Sequence, residues 1–143
     1  MNKTSPIVLV EDDADDKEVF EDIVKELGYE NPVVWFDTTL KAYDYLKSTK
    51  DPVFIIFSDI NMPYESGLEF KCRIDSDDYL RKKSIPFVFY STTVNQKAVN
   101  EAYIKMTIQG FFQKGDDYKD MKELISIILK YWTYCHHPNA SEY

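Results

Sequence analysis

Apolar residues along this chain come in unbroken short runs separated by stretches of helical spacing. Ile7-Val-Leu-Val10 is such a run, and a run without polar alternation reads as a strand buried on both faces. From Ala14 onward, Val19, Phe20, Ile23, Val24 and Leu27 recur at the period of an amphipathic helix, and Gly28 is placed to end it. A second strand is expected over Val33 to Phe36. Asp37, Thr38 or Thr39 can then cap a helix with Leu40, Tyr43 and Leu46 on its inner face. Val53 to Phe57 forms the strongest run, and it stops abruptly at Ser58-Asp59. Pro63 and Gly67 keep the following segment a loop.

A short helix is expected around Leu68 to Ile74, and residues 75–83 read as a solvated loop of acids followed by bases. The fourth strand spans Phe87 to Tyr90, with Pro86 at its entrance, where a missing N–H is tolerated. Ala98, Val99, Ala102, Tyr103 and Met106 mark a fourth helix. Gln109 to Gln113 is a weaker fifth strand ending at Lys114. Met121, Leu124, Ile125, Ile128 and Trp132 form the inner stripe of the last helix, while Ile127, Leu129 and Tyr131 fall outside it. Residues 1–134 are therefore expected as one domain and 135–143 as a tail.

Strand and helix alternate five times, which means a parallel sheet with helices on both faces. The expected fold is α/β, a doubly wound five-stranded parallel sheet, (βα)5, of order 2-1-3-4-5 and flavodoxin-like. In that order strands 1 and 3 are neighbours at the topological switch point, where sites form beyond the carboxyl ends of the strands. Glu11, Asp12 and Asp59 would then converge on one edge.

Charge narrows the function classes. The 143 residues carry a net charge of -8, which argues against nucleic-acid partners and against anionic lipid, since both need a basic face. No apolar run nears the ~20 residues of a membrane span, no signal peptide is evident, and Cys72 and Cys135 are too far apart to suggest a metal knuckle. A cytoplasmic protein is expected.

The acid run Glu11-Asp-Asp-Ala-Asp-Asp16 divides by position. Asp15 and Asp16 read as solvated first-turn residues suited to the helix dipole, and Asp13 as a cap. Glu11 and Asp12, brought beside Asp59, repel one another and call for a cation. A hard divalent ion with oxygen ligands, most naturally Mg²⁺, answers that need. A carboxylate left free can attack phosphorus to give an aspartyl phosphate, helped by a hydroxyl and a fixed cation on the phosphoryl oxygens. Ser91 closes strand four and Lys114 closes strand five.

Val10-Glu11-Asp12-Asp13, Asp59-Ile-Asn-Met-Pro63 with Gly67, Ser91 and Lys114, in that order at successive strand ends, resemble the receiver domain of two-component response regulators over roughly residues 5–132. The resemblance implies Asp59 as phosphoacceptor and Glu11, Asp12, Asp59 and the Asn61 carbonyl around Mg²⁺. Ser91 and Lys114 would bind the phosphoryl group, and Ser91 and Phe111 would form a switch that reshapes the face of the fourth helix, fifth strand and last helix.

It further implies a stand-alone receiver, not an enzyme in the metabolic sense. A histidine kinase or histidine phosphotransfer protein would phosphorylate it, and it would signal to a downstream protein target. Two features depart from the family: Gly115 follows Lys114 where proline after a cis bond is usual, and Phe111 lacks a hydroxyl. The rival readings are a phosphorylation-independent docking module and an aspartyl phosphatase. The phosphatase reading is weakened because Asn61, two residues after Asp59, cannot act as an acid.

Overall fold

Successive residues of a strand face opposite sides of a sheet, and this chain uses both sides. The computed structural model describes residues 4–138. Strands β1 (Ile7–Val10), β2 (Val33–Phe36), β3 (Ile55–Ser58), β4 (Phe87–Ser91) and β5 (Gly110–Gln113) form one sheet of order β2-β1-β3-β4-β5. Every pairing is parallel, as expected for crossovers through helices. Val8, Val10, Ile56, Phe87 and Phe89 point to one face. That face is covered by α2 (Thr39–Ser48), α3 (Gly67–Ser76), α4 (Asp78–Lys83) and α5 (Gln96–Lys105). Ile7, Leu9, Ile55, Phe57, Val88 and Tyr90 point to the other, under α1 (Ala14–Glu26) and α6 (Tyr118–Tyr134). Among the described residues no helix is long and apolar enough to cross a membrane.

Local chemistry sets the helix ends that matter for the site. Asp13 caps α1, its carboxylate accepting from the N–H groups of Asp15 and Asp16. Ser66 and Glu69 form a reciprocal capping box at the start of α3. Gly67 must be glycine: a Cβ there would lie 2.2 Å from the Asp59 carbonyl oxygen.

Four expectations need correction. Tyr103, expected on the apolar stripe of the fourth helix, is 53% exposed on α5. Residues 75–83 are not a loop: α3 runs to Ser76, Asp77 caps α4 by accepting from the Leu80 N–H, and Leu80 is buried. One apolar anchor in a six-residue helix leaves too little periodicity to read. Leu40 is 47% exposed, because the Thr38 cap phases α2 so that Thr39, Ala42 and Leu46 face inward. Leu129, outside the expected stripe of α6, is fully buried.

At the C-terminus, α6 ends at Tyr134, and His137 packs back on the domain. Its ring contacts the Phe54 carbonyl, stacks on the Phe54 ring at 5.4 Å and meets Trp132 edge-on. Of the expected tail, residues 139–143 lie outside the described residues.

Candidate functional site

Four adjacent strands, β1, β3, β4 and β5, end close together. Asp59 follows β3 and is 8% exposed, and Glu11 follows β1 and is 3% exposed. Ser91 ends β4 and Lys114 follows β5. The Ser91 hydroxyl donates to Asp59 Oδ1 at 2.7 Å, and the Asn61 N–H donates to the same oxygen at 3.0 Å. Asp59 Oδ2 faces Lys114 Nζ at 3.4 Å. Lys114 Nζ also donates to Glu11 and, at 3.0 Å, to Asp16. The peptide after Lys114 is trans, as are all others among the described residues.

One ammonium therefore serves three carboxylates. Burial raises the Glu11 pKa to about 7; the Lys114 contact opposes that rise, and the charge of Asp59 adds to it. Lys114 is pulled down by burial, but its bonds to Glu11 and Asp16 outweigh this and keep it charged.

The structure brings Glu11, Asp59, Ser91 and Lys114 together. Asp12 and Asn61 stand exposed at the mouth. Phe111 sits one strand over, half-buried, its ring 5.4 Å from Phe89.

Sequence reasoning missed Asp16, whose side chain is partly exposed yet reaches Lys114. The signal was present: Asp16 shares the helical phase of Phe20 and Ile23, the buried face of α1. It also missed Trp35, whose indole N–H donates to the Glu11 carbonyl at 2.6 Å and anchors the end of β1. Tyr90, buried, lies with its ring 5.5 Å from Lys114 Nζ.

The donors here are all hard oxygens in excess over their single cation, which fits a divalent metal. Glu11, Asp12, Asp59 and the Asn61 carbonyl could hold it. Among the described residues no three acidic, histidine or cysteine side chains already converge as a ligand set. Lys114 stands between Glu11 and Asp59, so binding requires those carboxylates to turn from it.

The fold is matched by solved structures. The phosphorylated cyanobacterial phytochrome response regulator RcpA is 22% identical, with a TM-score of 0.83 over 94% of this chain and 99% of that one. The Mn²⁺-bound response regulator Rcp1 is 23% identical, with a TM-score of 0.80 over 92% and 96%. The receiver domain of sensor histidine kinase PA1611 from Pseudomonas aeruginosa, with magnesium in its active-site cleft, is 18% identical, with a TM-score of 0.70 over 91% and 98%. A search of the curated proteins found no match. A family model for the response regulator receiver domain matches residues 7–126, from β1 into α6 and across every strand end described above. The chain belongs to the response regulator receiver domain family.

Proposed function

We propose that Asp59 accepts a phosphoryl group from a phosphohistidine of a histidine kinase or a histidine phosphotransfer protein. The observation that carries this reading is the meeting of Asp59, Ser91 and Lys114 from three neighbouring strand ends. Ser91 and the Asn61 N–H both engage Oδ1, so Oδ2 is the attacking atom. As the Oδ2–P bond forms, the P–N bond breaks. Its electron pair stays on the donor ring, whose other nitrogen carries a proton, so the ring leaves as neutral imidazole. Ser91 and Lys114 then bond phosphoryl oxygens, the positions where charge develops. Magnesium, held by Glu11, Asp12, Asp59 and the Asn61 carbonyl, would supply further charge neutralisation. The phosphorylated, Mn²⁺-bound and Mg²⁺-bound forms of proteins with this fold support that assignment.

The domain acts on its own side chain, so we read it as a signalling module and not a turnover enzyme. Output runs through protein contact at α5, β5 and α6, the elements around Phe111. Exposed Tyr103, Ile104, Ile127 and Tyr131 give α5 and α6 apolar contact area.

The test is intact mass after incubation with acetyl phosphate and Mg²⁺, beside Asp59→Asn. One phosphoryl group on the wild type alone supports the reading; equal addition to both chains overturns it. The second reading, a phosphorylation-independent docking module, draws on the Lys114 ammonium already filling the acidic cluster. Failure to bind Mg²⁺ with beryllofluoride, together with no phosphoryl addition, would favour it.

A further inference from the structure

A cavity of about 150 Å³ lies between α3, α4 and the start of β4, among Leu80, Ile85, Phe87, Lys71 and Arg81. It is at the end of the sheet opposite the phosphoacceptor: Phe87 opens β4, whereas Ser91 closes it. Lys71 is a lysine with a side chain only 4% exposed. Its ammonium donates to Asp75 at 2.8 Å and to the Thr107 hydroxyl at 3.1 Å, and faces the Phe87 ring at 5.1 Å.

Asp75 already accepts three hydrogen bonds, one of them from the Lys71 ammonium. Its Oδ1 accepts from Lys71 and from the Thr107 hydroxyl, and its Oδ2 from the Thr107 N–H. Gln109 Oε1 is taken by the Phe87 N–H at 2.6 Å. The acceptors at the polar end of the cavity are thus largely engaged.

Arg81 supplies donors. It is exposed at the rim and has no ion-pair partner among the described residues. It is also close enough that its charge reinforces the effect of burial in lowering the Lys71 pKa, against the Asp75 pairing. Two cations and one anion leave a local positive excess in a chain of net charge -8. Ser84 at the lip is the left-handed C-cap that ends α4, with φ of 50°.

We propose that this cavity binds a small monocarboxylate with a compact apolar body. The carboxylate would take the open fork of Arg81, and the body would fill the space against Leu80, Ile85 and Phe87. A cavity of about this volume accommodates one benzene-sized group. A phosphate would leave the apolar wall bare and would need more donors than the rim provides. The site is separate from the phosphoacceptor chemistry, so its binding survives in Asp59→Asn.

The test is titration of the full ¹⁵N-labelled chain with benzoate, followed by NMR, with benzamide as the uncharged control. The expected result is saturable shifts at the Arg81 side chain and the Ser84 and Phe87 amides. Arg81→Ala should weaken binding about tenfold or more, as loss of a charged hydrogen-bond donor requires. Arg81→Lys should recover part of the affinity. Arg81 lies on the surface, so spectra of both variants elsewhere should match the wild type. No saturable shift, equal shifts with benzamide, or unchanged affinity in Arg81→Ala would each overturn the proposal.

Discussion

The Ser91 hydroxyl donates to Asp59 Oδ1 at 2.7 Å, joining the ends of β4 and β3 inside the protein. Both residues are buried, Ser91 completely. With the Asn61 N–H on the same oxygen, this bond orients the carboxylate so that Oδ2 is the oxygen turned to Lys114. Under the proposed function the hydroxyl therefore need not travel to the site. It is already there, and a phosphoryl group would redirect it.

Ser91→Ala removes that donor from a buried anion. Hydrogen bonds to charged groups contribute about 1.5–3 kcal/mol, so beryllofluoride should bind at least roughly tenfold more weakly in the presence of Mg²⁺. Fluorescence titration through Trp35, whose indole is tied to the Glu11 carbonyl, reads this directly.

Asp59→Asn removes one of three carboxylates sharing the Lys114 ammonium. Relief of like-charge repulsion should raise stability by about 1 kcal/mol, measured as a higher urea midpoint at neutral pH. An unchanged or lower midpoint would mean that the Asp59–Lys114 attraction outweighs its repulsion with Glu11.

Gly67→Ala drives a methyl group into the Asp59 carbonyl oxygen and to 2.9 Å from Ile60 Cα. Backbone cannot yield as a flexible side chain does, so a loss of at least about 1–3 kcal/mol is expected. Phosphoryl uptake should fall with it, because the displaced atoms belong to Asp59, the proposed phosphoacceptor.

Asp75→Asn strands the buried Lys71 ammonium without a counterion, at a cost of about 3 kcal/mol. Lys71→Met removes the cation itself and leaves Asp75 with its Thr107 partners, so it should cost less. Paired thermal melts of the two variants test the order.

Asp77 links α2 to α4. It accepts from Lys47 at 2.6 Å, from the Leu80 N–H at 3.0 Å and from the Tyr43 hydroxyl at 3.0 Å. The Lys47 bond leads in lowering its pKa to about 2, the Leu80 N–H adds to this, and desolvation opposes it. A folded-state pKa below the unfolded ~3.9 stabilises the fold above about pH 4, and that contribution disappears as pH falls toward 2. The gap in urea midpoint between wild type and Asp77→Asn should be full at pH 7 and closed near pH 2. A gap independent of pH would show that the carboxylate charge is not what holds the two helices.

Unbroken apolar runs and helical spacing are local, so the strand order and the strand-end positions of Glu11, Asp59, Ser91 and Lys114 could be read directly from the residues. Parallel crossovers narrow the ways to assemble such strands, and the order 2-1-3-4-5 brings those ends together.

Contacts that depend on how a helix is turned about its axis were not legible. The phase of Asp16 on α1 could be read, but its partner could not, because the Asp16–Lys114 bond spans 98 positions. The helix α4 exists because Leu80 finds a core to enter, not because six residues favour a helix. Lys71 is an ordinary charged residue in sequence. Only packing of α3 against the loop at Thr107 makes it a buried ammonium beside a cavity. Periodicity along a chain records which face is apolar, whereas the pairing of polar groups is decided when those faces close on one another.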